Sequence, residues 1–132
     1  MFLEDFLQVT QSGRLVAKTM AGKIIIFHLN QENNWEVESE WSLQNDTSSR
    51  SRFDVNLDES FLCIGDVDGS VFIYKLNTGR LVHRLQHKQS KADVFCCCFS
   101  HPDEQSICQV GDSPHLLRWQ FVDPTIIEKF DE

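Results

Sequence analysis

The sequence predicts an all-β chain assembled from repeated units of strand and turn, and three observations carry that expectation. Short apolar runs alternate with Gly, Asp, Asn and Pro punctuation throughout. No stretch of about ten residues or more shows a helical apolar face. One arrangement of strands recurs at a spacing of roughly 45 residues, which is the signature of a repeat architecture.

From Met1 the run FLEDFLQVT is the first candidate strand, ended by Gln11-Ser12-Gly13. RLVAKTM, an Ala21-Gly22 turn and KIIIFHL then read as strand, turn, strand. After the polar break Asn30–Asn34, WEVESEWSL alternates Trp35, Val37, Ser39, Trp41 and Leu43 with Glu36, Glu38, Glu40 and Ser42. A period of two with acids on one face predicts a half-exposed outer strand. The stretch from Gln44 to Arg52 has no apolar residue and reads as a surface loop.

The pattern then starts again. RFDVN, the LDES turn, FLCIGD, the VDG turn, SVFIYKL, the NTG turn and RLVHRL form a second unit. Within it Phe61–Arg84 is the clearest copy, with Asp68-Gly69 supplying the tight turn, since Asp accepts local backbone bonds and Gly adopts positive φ. A polar loop from Gln86 to Lys91 leads into ADVFCCCFS, the HPDEQ turn, SICQV, the GDSP turn and HLLRWQF. After Pro124, TIIEKF is the last apolar run.

Aligning the third strand of each unit places Phe27, Tyr74 and Trp119 together, 47 and then 45 residues apart. Ile25, Phe72 and Leu117 correspond, as do Leu29, Leu76 and Phe121, and Ile24, Val71 and Leu116 match on the opposite face. The preceding strands align through Leu15, Leu62 and Ile107, and Gly22 matches Gly69, with Pro114 in the third copy. The chain is therefore one region, residues 1–132, of three repeats at about 1–43, 44–86 and 87–130. Strands apolar on both faces need cover on both sides, and four-stranded sheets stacked around an axis provide it. This favours β-propeller blades over a two-sheet sandwich.

These residues resemble the WD40 repeats. Leu62-Cys63-Ile64-Gly65-Asp66-Val67-Asp68-Gly69-Ser70-Val71-Phe72-Ile73-Tyr74-Lys75 stands where that family has L-A-S-G-S-x-D-G-T-V-R-L-W-D. Phe99-Ser100-His101-Pro102-Asp103 resembles the F-S-P-D-G turn with one residue inserted. Trp119 keeps the tryptophan, and His87 sits at the place of the Gly-His histidine. The resemblance covers essentially the whole chain and makes Asp68, Gly69, Tyr74, His87 and Trp119 its structural positions. The Trp-Asp dipeptide itself is replaced by Phe27-His28, Tyr74-Lys75 and Trp119-Gln120, and Ala21 and Ser113 stand in place of Asp68 in the other copies. A partly satisfied buried polar network is costly, so apolar packing is expected to hold these blades together. The expected fold is three four-stranded antiparallel WD40-like blades, an incomplete propeller, since propellers have typically about four to eight blades.

Charge and motif content narrow the function. The formal net charge is −8, with no clustered Lys and Arg to release phosphate counterions, so neither nucleic acid nor an anionic membrane is an expected partner. No apolar run has the length of a membrane span, and the acids of Met1–Leu7 do not suit a signal peptide, so an intracellular setting, cytoplasm or nucleus, is expected. Five cysteines, three adjacent at Cys96-Cys97-Cys98, suit reduced thiols rather than a disulfide framework.

On a strand Cys96 and Cys98 share a face that Cys97 does not, which fails zinc-ligand spacing, and the recurrence of Cys63 and Cys108 at matched sites argues for packing. The histidines His28, His83, His87, His101 and His115 form no metal motif. Asp66, Asp68 and Asp112 read as turn residues rather than calcium ligands. No nucleophile elbow or phosphate loop is present. No catalytic residue, metal or cofactor is assigned, which leaves a thiol- or metal-dependent enzyme as the least favoured class.

The expectation is a non-catalytic protein–protein interaction scaffold, a subunit or fragment of a larger assembly, with protein partners that include a chain completing the propeller. Trp35, Glu36, Glu38, Glu40 and Trp41 form the candidate partner surface. A substrate-recognition adaptor of a ubiquitin ligase is the second reading. The W-D-x-R that such members often carry at the end of a blade's third strand is absent at Tyr74-Lys75-Leu76-Asn77 and Trp119-Gln120-Phe121-Val122.

Overall fold

The computed structural model describes residues 4–45, 52–86, 94–99, 106–111, 117–121 and 129–131. Their strands make three four-stranded sheets, each antiparallel and in chain order. The first holds β1 (Glu4–Val9), β2 (Leu15–Thr19), β3 (Lys23–Leu29) and β4 (Trp35–Ser42). The second holds β5 (Phe53–Val55), β6 (Phe61–Gly65), β7 (Val71–Lys75) and β8 (Leu81–Leu85). The third holds β9 (Val94–Phe99), β10 (Ser106–Gly111), β11 (Leu117–Phe121) and β12 (Lys129–Asp131). The expected blades are present, stacked and unclosed.

Register confirms the internal repeat more stringently than composition does. Leu15 lies opposite Phe27, Leu62 opposite Tyr74 and Ile107 opposite Trp119. A one-residue slip in any sheet would put the aromatic on the wrong face.

Five of the turns share a chemistry that makes these hairpins form locally. Thr10, Thr19, Asn30, Asn56 and Asp66 each accept a backbone N–H from the residue three ahead, namely Gly13, Gly22, Asn33, Glu59 and Gly69. Each of those third residues has positive φ. The leading side chain also accepts from the turn backbone, as in Arg14 N to Thr10 Oγ1 at 3.0 Å, Lys23 N to Thr19 Oγ1 at 3.1 Å and Phe61 N to Asn56 Oδ1 at 2.9 Å. Short oxygen-bearing side chains thus replace the lost ladder bonds while the left-handed residue reverses the chain.

Alternation along the middle strands sends one row of each sheet to each neighbour. Val16, Ile24 and Ile26 of the first sheet pack with Phe53, Val55, Leu62, Ile64, Phe72, Tyr74 and Leu76 of the second, joined by Phe6 and Trp41 at the margin. The other row of the second sheet, Cys63, Val71, Ile73 and Leu85, packs with Val94, Cys97 and Trp119 of the third. Buried area of this kind contributes roughly 25 cal/mol per Å², which makes these two seams the main source of stability.

Each seam also brings backbone so close that only glycine fits. A Cβ on Gly65 would lie 2.4 Å from the Val94 carbonyl oxygen, and one on Gly79, whose φ is +75°, would lie 2.5 Å from the Trp41 ring. Gly79→Ala is therefore expected to strain the turn and displace the indole together. A loss of roughly 2–4 kcal/mol should appear as a lower denaturant midpoint with an unchanged slope.

Candidate interaction site

The outer strand β4 was expected to display its acids in one row, and the structure corrects that. The pairing of β3 with β4 is regular from Lys23–Ser42 to Ile26–Ser39 and resumes at Phe27–Val37, which leaves Glu38 as an extra residue in a bulge. The bulge changes the phase of the alternation. Glu36 and Glu38 lie on the side of His28 and Arg14, with His28 Nε2 3.6 Å from Glu36 and Arg14 Nη1 2.7 Å from Glu38. Glu40 pairs instead with Lys23 at 3.2 Å.

Trp41 also departs from the expected strip. Its ring lies 5.1 Å from that of Tyr74, and its Nε1–H donates to the Leu76 carbonyl at 2.8 Å. The opposite phase from Trp35 makes it a clamp between the first and second sheets, because a half-buried indole satisfies its N–H where a carbonyl is left over. Trp35, opposite Leu29, remains exposed. The described surface of β4 therefore presents Trp35, Glu36, Glu38 and Glu40.

The remaining structural positions fall into place around Tyr74. Its hydroxyl donates to Asn45 Oδ1 at 2.6 Å and accepts from the backbone N–H of Gln44 at 3.0 Å and of Asn45 at 3.2 Å. Asn45 in turn donates to the Gly65 carbonyl at 3.2 Å. Burial pushes the Tyr74 hydroxyl's pKa up, and the two backbone donors only partly offset this, so the group stays a neutral donor. Apolar packing alone does not hold these blades, contrary to expectation: a tyrosine–asparagine clasp fastens the segment leaving β4. Tyr74→Phe should remove it and leave two N–H groups unpaired, at about 1–3 kcal/mol in thermal or denaturant unfolding.

Asp68 anchors a second polar cluster. It accepts from Ser70 N at 2.9 Å and from the Arg84 guanidinium, while Arg84 covers the Phe72 ring at 5.4 Å. Gly69 has a φ of +94° and Trp119 is buried against the second sheet. His87 lies outside the described residues, as do Ala92, His101, Asp112, Ser113, Pro114, His115 and the central part of the loop between β4 and β5.

Three contributors escaped the sequence reading. Asp54, in the middle of β5, accepts from Gln8 Nε2 of β1 at 3.2 Å and from Phe99 N of β9 at 2.9 Å, so one carboxylate ties the first strands of all three sheets. An acid inside a three-residue apolar strand was the available signal. Glu59 accepts from Ser12 N and Ser12 Oγ, each at 2.8 Å, and from Arg14 Nε at 3.1 Å. Those bonds hold a non-glycine residue at a φ of +61°. Arg14 also reaches Asn77 at 3.0 Å, which joins two turns far apart in sequence.

Cys63 and Cys97 are buried and Cys98 is exposed. Burial, followed by the neighbouring Cys97 thiol, raises the Cys63 pKa well above the ordinary thiol range, which opposes thiolate chemistry there. Among the described residues, no group of three or more His, Cys, Asp or Glu side chains is arranged to hold a metal ion.

With this geometry in hand the family can be stated. A family model described as the anaphase-promoting complex subunit 4 WD40 domain matches residues 12–120. The chain belongs to that WD40 family. No curated protein matches this WD40 region in sequence.

Solved structures show the fold. The β-propeller domain of Cps50 (Swd1) from Myceliophteria thermophila superposes with a TM-score of 0.72 at 10% identity, over 100% of this chain and 39% of that one. The RRP9 WD40 repeats superpose with a TM-score of 0.69 at 11% identity, over 93% of this chain and 38% of that one. A humanised mutant of the Chaetomium thermophilum Polycomb Repressive Complex 2 gives 0.63 at 16% identity, over 81% of this chain and 24% of that one. The chain thus spans about two-fifths or less of the propeller-containing chains it matches.

Acid should loosen the WD40 sheets through their carboxylates. Burial raises the Asp68 pKa, but bonds from Ser70, Asp66 and Arg84 outweigh it and lower the value from 3.8 to about 2. Glu59 is likewise pulled below its usual value of 4.5, with burial outweighed by bonds from Ser12, Thr10 and Arg14. A depressed folded-state pKa gives stability that is present above the unfolded value and lost as pH falls through the folded one. The denaturant midpoint is therefore expected to drop between about pH 5 and pH 2. Asp68→Asn should cost about 1 kcal/mol or less near neutrality, since the pair is partly exposed, and should flatten the lower end of that drop.

Proposed function

We propose that this WD40 region is a non-catalytic interaction module, a set of blades within a multi-subunit assembly of the kind its family is named for, the anaphase-promoting complex. The observation that supports it most directly is the match of residues 12–120 to that family's WD40 domain. The described part of the chain agrees: Gln8, Asp54, Tyr74 and Asn45 spend their polar groups on joining loops to strands and sheets to one another. Protein partners inside the cell follow from this reading.

The partner-facing strip in this proposal is the exposed edge strand β4, with Trp35 as anchor, Glu40 on the same face and Glu36 and Glu38 on the other. A basic partner segment suits it, since the chain as a whole carries a net charge of −8. Trp41 is left out, because its indole belongs to the seam with the second sheet.

Co-precipitation of the tagged chain with purified anaphase-promoting complex tests the reading, and recovery of the complex's subunits is the expected result. Glu36→Lys combined with Trp35→Ala should weaken capture at least tenfold and make the remainder less sensitive to salt. The pair avoids Glu38, whose bond to Arg14 is structural. Failure of the wild-type chain to recover any subunit would overturn the proposal.

A further inference from the structure

One place in the repeat is filled in the second sheet and hollow in the first. In the second sheet Phe72 lies opposite Arg84, whose guanidinium covers the Phe72 ring at 5.4 Å while binding Asp68 and, at 3.3 Å, Ser70. The spacing of 47 residues makes Ala21, Lys23 and Ile25 the counterparts of Asp68, Ser70 and Phe72. Glu40, opposite Ile25, takes the place of Arg84. In the first sheet the ring is thus reduced to an aliphatic side chain, and the carboxylate moves from the turn to the outer strand. What remains is a recess of about 300 Å³ lined by Thr19, Ala21, Lys23, Ile25, Val37 and Glu40.

We propose that this recess binds an arginine side chain of a partner protein. The proposal rests on the interaction-module reading above and names the residue that the basic partner segment inserts. Ile25 and Val37 offer an apolar floor and wall, which suit the stem and flat face of a guanidinium. Glu40 supplies a carboxylate that a guanidinium fork can engage through two parallel bonds. Lys23 pairs with Glu40 at 3.2 Å, but both side chains are about half exposed, and such a pair is weak enough to yield to a bidentate one. A lysine would bring a second ammonium beside Lys23 without the fork or the flat face. The second sheet already holds a guanidinium over the equivalent apolar residue, in the same register.

The place stays reachable when a blade packs beside it. In the second sheet the face that carries Phe72 is covered by the first sheet, yet the side chains of Arg84 and Asp68 are still 46% and 38% exposed. They stand at the end of β7 next to the β6–β7 turn, on the rim of the seam. The recess occupies the same rim of the first sheet, next to the β2–β3 turn. Access to it is therefore independent of whether a further blade covers the rest of that face.

Nuclear magnetic resonance titration of the full chain with acetyl-arginine amide tests this. The methyl signals of Ile25 and Val37 should shift saturably, with a midpoint on the order of millimolar for so small a probe. Acetyl-lysine amide should bind at least about threefold more weakly. Glu40→Gln, which keeps the shape and removes the charge, should weaken the arginine probe at least about tenfold. Ile25→Phe combined with Glu40→Arg gives the recess the second sheet's own pair and should abolish saturable binding. Glu32→Gln, in the exposed β3–β4 turn, should leave binding unchanged. Circular dichroism checks that each variant keeps its strands.

Absence of saturable shifts at Ile25 and Val37 overturns the proposal. Equal binding of the lysine amide overturns it too, as does binding that survives Ile25→Phe with Glu40→Arg in a folded chain. Capture of the anaphase-promoting complex is a separate readout. Arginine binding without capture defeats only the interaction-module reading, and capture without arginine binding defeats only this one.

Discussion

A sheet whose strands are apolar on both faces has to be covered twice, and this constraint governs the arrangement of the chain. The second sheet satisfies it completely. Leu62, Ile64, Phe72, Tyr74 and Leu76 meet the first sheet, while Cys63, Val71, Ile73 and Leu85 meet the third. Burial of these two rows is what stabilises the middle of the array. Among the described residues the first sheet meets a neighbour on one face, through Val16, Ile24 and Ile26.

Apolar packing is non-directional, so something else has to set how the sheets sit on one another. Polar groups at the seams do this. Asp54 links the first strands of three sheets, Glu59 and Arg14 link the turns of two, and Tyr74 holds Asn45 while Trp41 rests on its ring. Each of these is a satisfied donor or acceptor at a place where an unsatisfied one would be expensive. They set the relative positions of the sheets in a chain that carries no intact Trp-Asp dipeptide at Phe27-His28, Tyr74-Lys75 or Trp119-Gln120.

The repeat was legible because its signal is local. Leu15, Leu62 and Ile107 aligned with Phe27, Tyr74 and Trp119 by residue type alone, and the register of all three sheets agrees. The candidate surface was legible only in part. Its acids and tryptophans were read as a strict alternation, and a single bulge at Glu38 put Trp41 on the face opposite to Trp35 and Glu40 on the face opposite to Glu36. Periodicity cannot reveal a bulge, since an extra residue is visible only against the strand it fails to pair with.

The sequence by itself determined an all-β chain of three four-strand units, with hairpins closed by short polar side chains and left-handed residues, because strand period and turn chemistry act over a few neighbouring residues. Only the tertiary structure decided which row of each sheet meets which neighbour, that Gly65 and Gly79 mark close approaches, and that Asp54 joins three strands. Those are relations between residues tens of positions apart, set by how the twisted sheets stack. No local pattern encodes them.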